Sequence, residues 1–481
     1  MSPFLKQTWT SSGVLFNMLA QGMVLSYPSC LLPALRAPDS TIKTDLETAS
    51  WLSSSVGLAS ILGFMMSSVL MEWRGRRFTH AVLTIPSLVG WLLIYFGQDV
   101  PTLMAGRALG GITVGATITL GAVVIGEYTS PQHRGMFLNL KTTAVSVANT
   151  LIHALASHFH WRTVAIISLV PQLIAFSIIC TWPESPSWLA SKRKFEKSEK
   201  VFYWLRGEDD DTRMELEEMH AAQRSRISRL LQKASLLEHI TNFLKKFKRK
   251  DFIKPVIIVF FSTIILETSG RHVYPAYAIE IIAEITGDKT HSFYYNLGID
   301  LIITASSSLA SYLVRIVRRR TLLFASGILG SIVLMFICVY LFLASKEIIT
   351  TDHTWIPISL LVLYFIFANL GCTPIPLALM GEVFPLDHRG AGTAASGLFL
   401  SVFLMIILKI TPAMLVSIKV YGTFAVFGIT TILALLVLYF MLPETKDRTL
   451  QQIEDHFNNI DRTYKEESDK LNGEELKYII K

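Results

Sequence analysis

Glu267, Arg271 and His272 stand within the stretch ETSGRH (267–272), inside a run from Pro255 to about Ile282 that is otherwise apolar. An acid and a base four residues apart share one face of a helix, with the acid N-terminal, the better order for an ion pair. In lipid such groups are expensive and face a protein interior or a wet cavity. Three chemistries stay open for them. Glu267 and Arg271 could form a self-neutralising pair turned into a helix bundle. The group could instead line a cavity, with Tyr274 and Tyr277 as aromatic faces, and contact a polar or charged solute. Alternatively Glu267, His272 or Asp300 could carry a proton, because burial raises a carboxyl pKa towards neutrality. His153 reads as a hydrogen-bonded interior histidine.

No catalytic constellation competes with these readings. The sequence has no HExxH, no phosphate loop, no nucleophile elbow and no Cys-x-x-Cys. Its acids and histidines within apolar runs lack metal-ligand spacing. Cys30, Cys180, Cys338 and Cys372 are far apart and give no disulfide framework. An enzyme, a cofactor, a metal site and a nucleic-acid partner are therefore not expected.

The elements that must position these groups follow from composition. Of 481 residues 51% are hydrophobic and only 17% charged, with mean hydropathy +0.45; soluble domains average about 25% charged residues. A spanning helix needs about 20 mainly apolar residues. Runs of that kind occupy about 12–35, 49–71, 78–97, 101–125, 137–158 and 162–182, then 255–282, 293–315, 321–343, 355–380, 391–415 and 420–442. The expected fold is all-α and polytopic, with 12 transmembrane helices in two six-helix pseudo-repeats. Residues 1–185 form the N-terminal bundle, 186–254 a cytoplasmic linker of short helices, 255–445 the C-terminal bundle and 446–481 a cytoplasmic tail. The net charge of +7 is concentrated in alternate loops: Arg74, Arg76 and Arg77, then Arg134, then Arg315, Arg318, Arg319 and Arg320, then Arg389. The positive-inside rule puts those loops and both termini in the cytoplasm.

The two sets of six repeat one another in sequence. GEYTSPQHRG (126–135) returns as GEVFPLDHRG (381–390), RGRR (74–77) as VRRR (317–320), and PES (183–185) as PET (443–445), all in the same order. Parallel repeats of this kind belong to carriers that work by alternating access. GRALGGITVG (106–115) spaces small residues four apart, which reads as close helix packing in lipid and not as a nucleotide loop.

These motifs together resemble the sugar porter branch of the major facilitator superfamily. The resemblance rests on RGRR, on GR at 106–107, on GE…P…RG at 126–135, on PESPSWL (183–189), on PIP…GEVFP…RG (374–390) and on PETKDRTLQQIE (443–454). Within that branch, SWLSSS (50–55), MEWRGRR (71–77) and SKRKFEKSEKVFYWLRG (191–207) are similar to the insect facilitated trehalose transporters. The resemblance implies facilitative transport of a trehalose- or hexose-like sugar at the plasma membrane; the sequence does not give the oligomeric state, and a monomer in the bilayer is the expectation. A proton-coupled or altered-substrate carrier, or a sugar sensor with the same fold, is the alternative.

The resemblance also implies residue roles. Arg76, Arg77, Glu127 and Arg134, with Arg319, Arg320, Glu382 and Arg389, would form charge pairs that close the cytoplasmic face in one state and part in the other. The family's helix 7 amides fall on Leu266, Glu267 and His272, its helix 5 glutamine on Thr142, and its helix 8 asparagine on Ile303. Its helix 10 tryptophan falls on Leu377 and its helix 11 Asn-Trp on Leu400 and Ser401. Substrate-contact candidates are therefore Glu267, His272, Thr142, Tyr277, Arg107 and Asp300. In proton-coupled members the counterpart of Arg107 pairs with an acid in helix 1; residues 12–35 contain neither Asp nor Glu, which favours uniport.

Overall fold

A chain this apolar satisfies its backbone within a bilayer only by internal hydrogen bonding, which for a bundle means helices. The computed structural model describes residues 2–231, 250–287, 292–349, 354–384 and 389–446, apart from the side chains at 225–231, 250–251, 315, 381–382 and 389–391. Every regular element among them is helical.

The first six spans comprise α1 (Pro3–Ser26) continued by α2 (Pro28–Arg36), then α3 (Leu46–Arg74), α4 (Arg76–Phe96), α5 (Val100–Tyr128), α6 (Pro131–Ala156) and α7 (Trp161–Cys180). Short helices α8 (Pro186–Ser191), α9 (Phe195–Arg206) and α10 (Asp210–Leu231) follow in the polar stretch. The second six comprise α11 (Lys250–Thr268) with α12 (Val273–Thr286), α13 (Ser292–Ile316), α14 (Arg319–Ser345), and α15 (Trp355–Phe367) joined through a π turn at Ala368–Cys372 to α16 (Pro374–Glu382). They finish with α17 (Arg389–Ser417) and α18 (Lys419–Met441). Eleven of these segments are long and apolar enough to cross a membrane. The remaining expected span, α6, is 26 residues long but carries Asn139, Lys141, Asn149 and His153, on a helix packed against α1 and α13.

Helix 1 departs from the predicted start at residue 12. It begins at Pro3 because its first turns dock onto the linker: Gln7 donates to the Leu205 carbonyl at 3.2 Å, and the Lys6 ammonium lies 5.1 Å from the Trp204 ring. It is interrupted at Tyr27, where Pro28 supplies no N–H. Asp45 and Asp99 cap α3 and α5 by accepting from the Thr48 and Thr102 N–H at 3.0 and 2.8 Å. Hydrogen bonds from those threonines hold both carboxyls below the usual range.

The glycine spacing of α5 does pack helices. A methyl on Gly111 would lie 2.5 Å from the Val56 carbonyl oxygen of α3, and one on Gly115 would overlap the Ser60 carbonyl. Between the two sets of six, α3 runs along α17 and α6 along α13. On the α3–α17 seam, Gly57 abuts the Met405 backbone and Gly397 the Phe64 ring.

Candidate functional site

ETSGRH lies where the seventh span breaks. Gly270 has φ +83°, the left-handed region that favours glycine, so α11 ends at Thr268 and α12 restarts at Val273. A second departure from helical geometry occurs at Tyr277, φ −127° and ψ 18°. The broken turn presents Ser269, Arg271 and His272 to a cavity that, with the open solvent at its mouth, encloses about 520 Å³ of empty space. Ser146 and Asn149 of α6 face it from the first six spans, Ile303 from α13, and Phe365, Asn369 and Thr373 from the tenth span.

The charges pair differently from the expected i, i+4 pattern. Glu267, 1% exposed, takes the His272 Nδ1 at 2.8 and 3.0 Å. The left-handed turn at Gly270 swings Arg271 off the helical face, so the Glu267–Arg271 ion pair does not form. Arg271 makes no hydrogen bond or ion pair with any described residue. Lys141 of α6 is close enough for the Arg271 charge to act on it, and its ammonium donates to the Ile118 carbonyl at 3.1 Å. Asn149 Oδ1 is buried with no partner, whereas Asn369 donates to the Phe365 carbonyl at 2.9 Å.

Of the six substrate-contact candidates, only His272 lines the cavity. Glu267 stands behind it, and Thr142 lies on α6 two turns from Asn149, outside the lining. Tyr277 donates its hydroxyl to the Leu408 carbonyl at 2.8 Å. Arg107, 1% exposed, donates to the Leu52 carbonyl at 3.1 Å and to the Val24 carbonyl at 2.5 Å. It therefore braces α5 against α1 and α3, its charge solvated by carbonyl dipoles in place of an acid, and it does not reach the cavity. Asp300 is bonded to His153 at 2.6 Å.

That last bond crosses between the two sets of six, near the face opposite the arginine-rich loops. His153 Nε2 also meets the Pro275 carbonyl oxygen at 3.0 Å. A carbonyl only accepts, so Nε2 carries a hydrogen. Nδ1 then either donates to an ionised Asp300 or accepts from a protonated one. Either way the bridge holds one proton more than a neutral imidazole beside a free carboxylate. The same face is closed by Arg36–Glu280 at 2.9 Å and by Lys409 donating to Ser50 Oγ at 2.8 Å, with its ammonium 4.1 Å from the Trp51 ring.

At the arginine-rich face, Arg76 forms a two-pronged pair with Glu127 at 2.7 and 2.8 Å. Glu184 accepts from the backbone N–H of Arg76 and Arg77 at 2.7 and 3.2 Å. The second half repeats the device: Glu444 accepts from the N–H of Arg319 and of Arg320, both at 3.1 Å. Arg134 does not join Glu127, because Glu127 is already committed to Arg76 and Ser185 Oγ. Its Nε is buried without a partner, and its charge acts on Arg206. The side chains of Glu382 and Arg389 lie outside the described residues. Sequence reasoning did not single out Glu184 and Glu444, although the repeated PES and PET triplets carry them. Asn149 was missed too; it sits seven residues after Thr142, on the same helical face, and that periodicity was its signal.

A family profile described as "Sugar (and other) transporter" matches residues 23–457. The facilitated trehalose transporter Tret1 of Apis mellifera ligustica is 28% identical over 440 residues, 91% of this chain and 85% of that one. Its Bombyx mori namesake is 25% identical over 447 residues, covering 93% and 86%. Among solved structures, the inward open conformation of the xylose transporter XylE from E. coli superposes with TM-score 0.73 at 17% identity, covering 94% of this chain and 99% of that one.

Proposed function

The chain belongs to the sugar (and other) transporter family, and on that premise we propose that it carries a sugar-like solute, of trehalose or hexose size, across the plasma membrane by facilitated alternating access. Residues 1–185 and 255–445 act as the rocking halves, with 186–254 and 446–481 on the cytoplasmic side beside both termini. The arginine-rich face is the inner one. The protein works as a monomer in the bilayer and performs no covalent chemistry.

One observation carries the reading: the cavity lies between the two sets of six at a broken helix, while paired groups close the face above it. Substrate would be held by Asn149, Asn369, Ser146 and the Ser269–His272 turn, with Tyr274 and Phe365 offering aromatic faces. Glu267 holds the His272 ring in place. Rocking breaks the outer pairs and admits substrate from outside. Binding must favour neither end state by several kcal/mol, or the ligand would trap the carrier. Labelled trehalose and glucose uptake into proteoliposomes tests this. No accumulation of either, from a folded and inserted protein, would refute carriage of those sugars.

A second reading, proton-linked transport, is favoured by the one-proton His153–Asp300 bridge. It requires uptake to follow an imposed pH gradient, whereas uniport does not.

A further inference from the structure

The cavity has no acid on its lining, and the one acid behind it, Glu267, is occupied by His272. What it does have is a guanidinium. Arg271 lines the cavity with no hydrogen bond or ion pair to any described residue, feeling the Glu267 charge only from beyond ion-pair distance, and Lys141 adds a second cation whose hydrogen-bond partner is the Ile118 carbonyl. An unpaired charge inside a spanning bundle is costly and is retained where a ligand or water answers it. Guanidinium presents a fork of parallel N–H groups that fits carboxylate and phosphate oxygens two at a time.

We infer that the transported solute is anionic: a sugar-sized polyol bearing one carboxylate or phosphate, with its anionic group on Arg271 and its hydroxyls on Asn149 and Ser146. The inference rests on the carrier reading and refines its substrate. Neutral sugars would leave the guanidinium without a direct anionic contact, with only the field of Glu267 acting on it. An anion would cancel it, with Lys141 adding attraction from the α6 side. The Gly270 turn is what makes this possible, since a continuous helix would return Arg271 to Glu267.

The test uses the full chain in proteoliposomes with four labelled probes: glucuronate, glucose 6-phosphate, glucose and trehalose. Glucuronate or glucose 6-phosphate should be taken up with kcat/KM at least about tenfold above the neutral sugars, the range of a hydrogen bond to a charged group. Inside-positive potential should accelerate that uptake. Arg271→Gln should remove the preference, and Arg271→Lys should restore part of it. Melting temperatures with and without glucuronate give a binding readout independent of transport. Uptake of glucose or trehalose with neither anion transported would overturn the inference and leave the carrier reading standing. Anion uptake unchanged in Arg271→Gln would overturn the assignment to this residue. No uptake of any probe would overturn both readings.

Discussion

Replacing His153 by Ala removes two buried hydrogen bonds that tie the halves together, to Asp300 and to the Pro275 carbonyl, near the face opposite the arginine-rich loops. The bond to Asp300 is 2.6 Å long, and both its partners are at most 3% exposed. A hydrogen bond to a charged group contributes about 1.5–3 kcal/mol, and every 1.4 kcal/mol is tenfold. Opening of the outer face should therefore become about 10 to 150 times more favourable. The readout is a cysteine at position 149, which lines the cavity, in a chain whose exposed Cys180 is replaced by Ser. A membrane-impermeant maleimide applied from outside should label Asn149→Cys at least tenfold faster in the His153→Ala background. Labelling should also rise with pH in the His153 protein, because closure retains a proton that higher pH removes. Asp300→Asn separates the two effects. Its amide can donate to a neutral Nδ1 while Nε2 still donates to Pro275, so both bonds survive without the extra proton. That variant should stay closed and lose the pH dependence. Equal labelling of the His153→Ala and parent proteins at the cell surface, or full pH dependence in Asp300→Asn, would refute the reasoning.

The other closure at the same face should matter far less. Arg36 and Glu280 are each 29% exposed, so solvent screens them, and Arg36→Ala should change labelling by no more than about threefold, as for a surface pair. Gly270→Ala places an ordinary residue at φ +83°, with a methyl that meets Phe365 at a normal 3.6 Å. The cost is conformational, about 1–2 kcal/mol, and a lower melting temperature with intact insertion would show it. Glu184→Gln should slow exchange between states more than Arg134→Ala does, since Glu184 holds two backbone N–H groups and Arg134 holds no ion pair. Single-turnover uptake at saturating substrate measures that difference.

The spans were legible in the sequence because lipid imposes their length, and the repeat was legible because GE…RG, the arginine clusters and the PES/PET triplets recur in order. The site was not, for identifiable reasons. The i, i+4 rule that pairs Glu267 with Arg271 assumes an unbroken helix, and Gly270 breaks it. Asp300 and His153 are separated by 147 positions, and no local pattern connects them. Arg107 invited a search for an acid partner, yet two helix carbonyls answer its charge. Only the docking of α1 against α3 and α5 reveals that.

The seam between α3 and α17 has a kinetic consequence. Along it, Gly57 meets the Met405 backbone and Gly397 meets the Phe64 ring, apolar contacts that can slide, and the Lys409–Ser50 hydrogen bond crosses it at one end, where it is only part-buried. The α6–α13 seam, in contrast, is pinned by a single buried bridge. One side of the molecule is thus an axle and the other a catch. Resistance to rocking should then be concentrated at one face, and mostly at the buried bridge, instead of spread across the interface, so that exchange between states proceeds as one step with a single time constant.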